Sequence, residues 1–440
     1  MRIKKLALAL LVLLPAIRAV SQLKASDVKT FTLPNEMKFL VVEDFSIPNA
    51  NMYLFWKVGS RNEYPGITGL SHFFEHMMFN GAKKYGPKEF DRTMEFNGGA
   101  NNAYTTQNVT VYTDWFPASA METIFQLEGD RIRDLSIDPK MVESERGVVT
   151  SEKSTGLENS PTAELSELMY ATAFTTHSYR WPVVGYFEDI KSWSKEDLET
   201  YFKTYYAPNN CVVVVSGAVT FDQVKAMAEK YLGDIPKNKS ARAMNLVEPE
   251  QKGERRVYLK KEVPTSNLMM AYHVPAAKSD DYYALDLLSS VFSAGRSSRL
   301  YSSLVDSLQL TTSAFAFFGN GFDPGLFFFQ TTGAKGKKVE DIEAALDAQI
   351  EKIKKDGVKP EELQKVKNQK LISFYGQIET INGKSNNLGT YEVFFGDFKK
   401  MFDAPASYEK VTADDIKRVA NKYFKKSNRT VGIMHSNVEE

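Results

Sequence analysis

The stretch at residues 69–79 reads Gly69-Leu70-Ser71-His72-Phe73-Phe74-Glu75-His76-Met77-Met78-Phe79. Its two histidines are four residues apart, so on an α-helix they project from one face, one turn apart. Glu75 lies next to His76, and its carboxylate reaches the same patch. Two imidazoles at this spacing suit a tetrahedral Zn²⁺, and a carboxylate that does not bind the metal can act as a base toward the water there. The stretch therefore predicts a short helix that carries a zinc site.

The order of the motif makes this prediction specific. H-x-x-E-H reverses the order of H-E-x-x-H and is the signature of the inverzincins. Only five histidines occur among 440 residues, so the motif arises by chance in fewer than about one in a hundred chains of this composition. The alternative is a helix whose two histidines are merely packed or solvated. The rarity of the motif favours the metal site.

The composition is that of a globular protein long enough for two or three domains. Hydrophobic residues make up 43% of the chain and charged residues 25%, both ordinary values. Lys plus Arg and Asp plus Glu both number 55, so the formal net charge is zero. The sequence has no basic run and no glycine-rich phosphate loop. These features argue against a role in nucleic-acid binding.

The N-terminus has the pattern of a secretory signal peptide over residues 1–21. Basic residues at positions 2, 4 and 5 precede an apolar run at 6–17, and small residues follow at Ala19 and Ser21. An uncleaved membrane anchor is disfavoured, because the apolar run is shorter than the roughly 20 residues that span a bilayer. We therefore expect an exported protein without stable membrane insertion.

The second half of the chain repeats the first at an offset of about 220 residues, which indicates a duplicated fold. The matching segments are 125–149 with 346–371, and 194–206 with 412–424. Residues 282–302 form the helical region of the second copy that corresponds to the histidine helix, but they contain no histidine pair. We predict an α+β fold of two homologous α/β-sandwich halves, each a mixed sheet with helices packed on it.

This repeat also sets the expected domain organisation. Residues 22–235 form the predicted N-terminal, zinc-bearing peptidase domain, and residues 256–440 form the homologous domain that lacks the metal motif. Between them, residues 236–255 are polar and contain Pro249 and Gly253, as expected of a linker.

A hydrolytic zinc site needs three protein ligands, and the two histidines supply only two. Glu145 and Glu152 are seven residues apart on a predicted long helix that starts near residue 140, so they share one face. Periodicity does not decide which of the two binds the metal, and ordinary salt-bridged acids on a helix show the same spacing. The remaining histidines are rival ligands, although each is isolated: His177, His273 and His435.

Three runs of sequence resemble the pitrilysin/insulinase family of zinc peptidases. They are G-L-S-H-F-F-E-H-M-M-F-N-G from Gly69, G-G-A-N-N-A-Y-T-T from Gly98 and E-R-G-V-V-T-S-E from Glu145. The similarity is greatest to the half-length branch that includes the mitochondrial processing peptidases, and it covers nearly the whole chain after the signal segment. The resemblance implies a zinc metalloendopeptidase, a hydrolase of peptide bonds in extended peptides or unfolded proteins.

The resemblance also implies roles for individual residues at the metal. His72, His76 and Glu152 are the expected ligands of one Zn²⁺ per chain, and Glu75 is the expected general base. Glu145 matches an acid that orients a ligand histidine. Under this reading the choice between the two helix acids falls on Glu152 as the ligand.

The same comparison assigns substrate binding to residues Asn102, Ala103 and Tyr104. They match an edge strand against which members of the family lay the substrate backbone, a case of β-augmentation. Backbone pairing of this kind gives affinity without naming the substrate side chains, so the sequence does not predict a cleavage preference.

The chain departs from family members that act alone or as homodimers, which carry an Arg and a Tyr seven residues apart in the second half. Here those positions hold Val305 and Thr312. We therefore expect a heterodimer, in which a homologous non-catalytic partner subunit supplies the Arg/Tyr pair. The alternative is that Arg299 or Tyr301 substitutes locally.

A non-catalytic scaffold, like the core subunits of the family in respiratory complexes, is the second function considered. Such subunits typically lose metal-site residues, whereas all four positions are present here, so the scaffold is disfavoured. The family context places an exported member in the bacterial periplasm.

Overall fold

The computed structural model describes residues 23–238 and 246–436. The predicted signal peptide, residues 1–21, lies outside the described residues, as do residues 239–245 of the predicted linker. Two β-sheets, each covered by helices, account for the described chain. This arrangement confirms the predicted α+β fold of two similar halves, while the domain boundaries stay a prediction.

The N-terminal sheet has six strands in the order β1-β2-β6-β3-β5-β4. All neighbouring strands are antiparallel except β2 and β6. The outer side of β4 pairs with no other strand in residues 23–238 or 246–436, which leaves β4 as a free edge. The strands are β1 (Val28–Thr32), β2 (Lys38–Glu43), β3 (Asn49–Trp56), β4 (Ala100–Thr105), β5 (Thr110–Pro117) and β6 (Cys211–Gly217).

The C-terminal sheet repeats this topology with five strands, in the order β7-β11-β8-β10-β9. Here too one pair is parallel, β7 with β11, and the others are antiparallel. Only β1 has no counterpart among the described strands. The strands are β7 (Arg255–Lys260), β8 (Asn267–Val274), β9 (Thr311–Phe318), β10 (Gly325–Gly333) and β11 (Arg429–His435).

Eight helices belong to the described N-terminal half and six to the C-terminal half. The first set is α1 (Leu70–Met77), α2 (Glu89–Phe96), α3 (Met121–Asp134), α4 (Pro139–Asn159), α5 (Ala163–Ala173), α6 (Phe187–Ser192), α7 (Lys195–Tyr205) and α8 (Phe221–Leu232). The second set is α9 (Tyr282–Ser293), α10 (Val339–Asp356), α11 (Pro360–Gln377), α12 (Ile381–Thr390), α13 (Lys400–Lys410) and α14 (Ala413–Tyr423).

The helix boundaries follow local sequence signals. A proline is the first residue of both α4 and α11, where its missing N–H costs nothing. Ser194 and Thr412 begin α7 and α14 with capping boxes, as their spacing to an acid three residues later predicts. The helical region predicted over 282–302 is interrupted, because Gly295 has a φ of +80°. A π-helical segment, Tyr301–Ser307, follows it.

Each half sends one helix across to the sheet of the other half. Helix α5 packs on β7, β8 and β11, while α12 packs on β3 and β6. The contacts are close enough to require glycine: a Cβ at Gly432 would lie 2.5 Å from the Met169 sulfur, and a Cβ at Gly389 would lie 2.0 Å from the Phe55 ring. The two halves are therefore joined by exchanged helices as well as by the chain that connects them.

Candidate metal centre

Helix α1 separates an apolar face from a polar one within two turns. Its buried residues are Leu70, Ser71, Phe73, Phe74 and Met77. They pack toward β5, α4 and α7, and the ring of Phe74 stacks on Tyr201 with centroids 5.9 Å apart. His72, Glu75 and His76 lie on the other face and are only partly buried. The pattern of buried positions therefore fixes which side chains α1 presents to the cleft.

Helix α4 brings a carboxylate to the two histidines. The Oε2 atom of Glu152 lies 3.4 Å from Nε2 of His76 and 3.7 Å from Nε2 of His72. One possible ligand atom from each of the three residues falls within 4.8 Å of the other two. In the described part of the chain no other group of three His, Cys, Asp or Glu residues comes together in this way. Two imidazole nitrogens and one carboxylate oxygen are a donor set that suits Zn²⁺.

Glu145 contacts the other nitrogen of His76. Its Oε1 lies 2.8 Å from Nδ1 of His76, and its Oε2 accepts a hydrogen bond of 2.7 Å from the amide of Asn80. Because the acceptor is a carboxylate, Nδ1 carries a proton, and Nε2 is the nitrogen that faces Glu152. The hydrogen bond with His76 lowers the pKa of Glu145. The two helix acids therefore contact opposite nitrogens of one imidazole.

His72 is held differently. Its Nδ1 is buried and has no hydrogen-bond partner among the described residues. Burial, with a smaller contribution from His76, lowers the pKa of His72 to about 4. The imidazole is therefore neutral at ordinary pH, as a metal ligand must be. Its position depends on the backbone of α1 rather than on a side-chain partner.

Glu75 lies in the same cleft but outside the group of three possible ligands. Burial raises its pKa, partly offset by hydrogen bonds with Thr105, the last residue of β4. A carboxylate whose pKa is shifted toward neutral pH accepts and returns a proton more readily than an exposed one. The geometry thus leaves Glu75 available for proton transfer.

A pocket of about 420 Å³ opens beside Glu75 along the free edge of the N-terminal sheet. Asn102 and Ala103 of β4 line it, whereas Tyr104 does not. The other lining residues are Glu75, His76, Phe79, Asn80, Lys88, Asp91, Asn101 and Glu145. The pocket places the predicted substrate strand beside the possible base.

Sequence reasoning did not single out Asn80 or Thr105. Asn80 lies in the F-N-G end of the first run quoted above, but nothing in its spacing predicts a contact with Glu145. Thr105 ends the predicted edge strand, and its contact with Glu75 depends on how β4 packs beside α1. Both roles are visible only in the tertiary structure.

The rival histidines take no part in the group of three. His177 lies 3.2 Å from Asp323, Nε2 of His273 lies 3.1 Å from the carbonyl oxygen of Ala173, and the ring of His435 stacks on Tyr258. None of these contacts involves a residue of α1.

The second-half residues that matter for the partner prediction lie in ordinary structural environments. Val305 packs against a hydrophobic core to which both halves contribute, and Thr312 is exposed on β9. Arg299 donates two hydrogen bonds of 2.8 and 2.7 Å to Glu362 and one of 2.9 Å to the carbonyl of Gly357. Its guanidinium is thus already engaged, which disfavours Arg299 as a local substitute for the missing Arg.

Comparison with known proteins identifies the family. Residues 38–185 match the family profile "Insulinase (Peptidase family M16)", and residues 192–370 match "Peptidase M16 inactive domain". The chain is 31% identical over 381 residues to the zinc protease PqqE of Helicobacter pylori, covering 86% of this chain and 85% of that protein. The protein therefore belongs to peptidase family M16, the insulinase family.

Two further relatives agree with this assignment. A probable mitochondrial-processing peptidase subunit beta of Arabidopsis thaliana is 24% identical over 414 residues, covering 91% of this chain and 77% of that one. The crystal structure of a protease from Helicobacter pylori superposes with a TM-score of 0.89 at 29% identity, covering 92% of this chain and 99% of that chain. Relatives named as zinc proteases support a peptidase function and zinc as the metal of the family.

Proposed function

We propose that this protein is an exported zinc metalloendopeptidase that hydrolyses peptide bonds in extended peptides or unfolded proteins. The observation that carries the proposal is the convergence of His72, His76 and Glu152, with their ligand atoms within 4.8 Å of one another. Glu75 lies beside them and is not part of that set, so it remains free to act as a base.

The chemistry follows from these side chains. A zinc ion bound there supplies a Lewis acid that polarises the scissile carbonyl and makes water more acidic. Glu75 takes the proton of the attacking water and then delivers it to the leaving amine. Glu145 keeps the imidazole of His76 oriented, and the free edge of β4 receives the substrate backbone. Proton transfer, orientation of His76 and binding of the substrate backbone are all performed by residues that line one cleft.

The substrate class follows from the shape of the cleft. A free sheet edge pairs with an extended backbone whatever its side chains, and β4 has alternating exposed and partly buried residues along its length. A folded protein presents few unpaired extended segments. Extended peptides and unfolded chains are therefore the substrates that this edge favours.

A homologous partner subunit is part of the proposal. Val305 and Thr312 do not provide an Arg/Tyr pair, and Arg299 is bound to Glu362. The Arabidopsis relative is named as a subunit, which supports an assembly of two different chains. The partner would supply the cationic and phenolic groups next to the developing oxyanion.

Export to the bacterial periplasm is proposed from the N-terminal sequence alone. The basic start, the apolar run of about 12 residues and the small residues after it fit a cleaved signal peptide. Within residues 23–238 and 246–436, no helix combines the length and apolarity that a bilayer crossing requires.

The first test is zinc content and peptidase activity of the purified chain that starts after residue 21. We expect about one zinc per chain and cleavage of an unstructured peptide that a chelator abolishes and added zinc restores. A chain that holds no metal would favour the scaffold function instead.

The partner is tested by measuring cleavage with and without co-expressed homologous chains from the same genome that lack H-x-x-E-H. We expect activity to rise when the partner is present. Full activity of the isolated chain, as a monomer or a homodimer, would reject the heterodimer and leave the zinc peptidase intact.

A further inference from the structure

Glu63 is a buried carboxylate at the start of the metal-bearing helix. It follows the short turn Ser60–Asn62 after β3 and is 1% exposed. No basic side chain lies within ion-pair distance of it in the described residues. Its Oε2 accepts a hydrogen bond from the backbone N–H of Gly69, and its Oε1 accepts one from the N–H of Ser71, each at 2.8 Å.

The start of α1 needs such an acceptor. The first N–H groups of any helix have no partner within the helix. The N-cap residue is Gly69, with a φ of +92° and no side chain to supply an oxygen. Glu63 takes the place of a capping side chain from six residues upstream: its two oxygens accept hydrogen bonds at the start of the helix, although burial raises its pKa to about 8. An eight-residue helix is marginal by itself, so this clamp fixes its first turn.

The two histidines of the centre depend on different restraints. His76 has a side-chain partner in Glu145, whereas Nδ1 of His72 has none. His72 directly follows Ser71, one of the two residues whose N–H groups bind Glu63. Two hydrogen bonds therefore hold the residue directly before His72: the N–H of Ser71 donates to Glu63, and the Ser71 hydroxyl lies 2.6 Å from that of Tyr201.

We propose that Glu63 is a positioning residue for His72, which sets the affinity of the centre for its metal by fixing the first turn of α1. The proposal rests on the zinc function proposed above. Glu63 touches neither substrate nor metal, so its effect reaches the centre only through the backbone of α1.

Asp189 provides a matched control. Its Oδ2 accepts hydrogen bonds from the N–H groups of Gly66 and Thr68, both 3.1 Å, and from the hydroxyl of Thr68 at 2.6 Å. Asp189 therefore holds the segment that leads into α1, as Glu63 does, but the last residue it binds is Thr68, one before Gly69. Asp189→Asn weakens the loop without removing an acceptor from α1.

The experiment compares wild type, Glu63→Gln and Asp189→Asn. Zinc dissociation constants are measured by competition with a chromophoric chelator, and the free energy of unfolding of the metal-free proteins by denaturant titration. We expect both variants to be less stable than wild type. Only Glu63→Gln should also bind zinc more weakly, by about tenfold, the lower end of the loss seen when a residue that contacts a ligand is changed.

A second set of variants tests the route through His72. In a His72→Ala background, Glu63→Gln should leave the remaining zinc affinity unchanged, whereas in a His76→Ala background it should still weaken it. If Glu63→Gln does not fold, Glu63→Asp, which keeps the carboxyl group but has a shorter reach, replaces it in the same measurements.

The outcomes separate the two proposals. Wild-type zinc affinity in a folded Glu63 variant, with only its stability lowered, would overturn the positioning role. A wild-type chain that binds no zinc would instead reject the zinc peptidase itself.

Discussion

Helices α1 and α9 occupy equivalent places in the two halves, α1 after β3 and α9 after the corresponding strand β8, yet their side chains have different roles. Helix α1 directs three ionisable side chains into a cleft, whereas α9 buries eight of its twelve residues. Counted from the first helical residue, α9 has apolar residues where α1 has His72, Glu75 and His76: Ala284, Leu287 and Leu288.

Helices α4 and α11 show the same contrast. Counted from the proline that begins each helix, Val366 and Ser373 stand where α4 has Glu145 and Glu152. Val366 is fully buried. One copy of the fold thus forms without any of the polar groups of the metal centre, so the fold does not require them. The C-terminal half therefore shows what the same fold looks like without the residues of the candidate metal centre.

The largest expected effect is on catalysis, from Glu75→Gln. Loss of a general base typically slows turnover by about 10²–10⁴-fold, and we expect this variant to keep its zinc because Glu75 is not in the ligand set. Cleavage of an unstructured peptide and zinc content, measured on one preparation, check both parts. Wild-type turnover in Glu75→Gln would show that the base is another residue.

The next largest effect is on the free energy of unfolding, from a substitution in the C-terminal half. Leu288→Ala removes a fully buried side chain from α9 and should lower the free energy of unfolding by about 2–5 kcal/mol. Zinc affinity of the folded variant should stay within twofold of wild type, since Leu288 belongs to the half without the metal motif. A parallel loss of zinc affinity would mean that the two halves are coupled more tightly than the comparison implies.

A smaller effect is expected on metal affinity from Glu145→Gln. A neutral amide no longer holds the Nδ1 proton of His76 as firmly, so the zinc dissociation constant should rise by about 10–100-fold. Glu143→Gln is the matched control on the same helix, since Glu143 is largely exposed and forms an ion pair with Arg146 rather than with a histidine. Equal effects in the two variants would argue that general helix charge, and not the contact with His76, is responsible.

The smallest predicted effect is a pH-dependent change in the free energy of unfolding, and it concerns Asp281. Asp281 is the N-cap residue of α9, the position that Gly69 holds in α1. Its carboxylate accepts hydrogen bonds from three residues of α14: Arg418, Lys422 and Tyr423. Burial by itself would raise the pKa of Asp281, but these hydrogen bonds outweigh it and hold the pKa at about 2. A depressed pKa contributes stability above the unfolded-state pKa, near 3.8, and loses it as the pH falls through the folded-state pKa.

We therefore expect metal-free wild type to exceed Asp281→Asn in unfolding free energy by about 1 kcal/mol at pH 6, a figure reduced for screening because Arg418 and Lys422 are half exposed. The difference should narrow as the pH falls from 4 to 3, measured by denaturant titration with chelator present. A constant difference across this range would show that the carboxylate charge is not what stabilises α9 against α14.

The sequence predicted most of the fold, and the placing of two histidines together, for physical reasons. Helical periodicity places His72 and His76 on one face, a proline marks the start of α4 and α11, and capping boxes mark the start of α7 and α14. Glu145 and Glu152 could not be separated by periodicity, because both lie on the face of α4 that meets α1. The structure shows why: both carboxylates contact the same imidazole from opposite sides, and only resemblance to the family had assigned their roles.

Other parts of the centre are not local in sequence. Glu63 and Asp189 bind the segment that leads into α1 from different elements, and no pattern of spacing marks either one. The exchange of α5 and α12 was likewise outside the sequence-based prediction, since a repeat of 220 residues does not tell which copy of a helix covers which sheet. Contacts of this kind are set by packing between distant segments.

The exchanged helices have a consequence for how this chain could be divided. A gene cut within residues 239–245 would yield two polypeptides, each of which carries the helix that seals the other's sheet. Separately, each fragment would leave an apolar sheet face open to water and tend to aggregate. Co-expressed, they should assemble into one particle without a covalent link, so a split reporter built at this cut would report on the reunion of the two fragments.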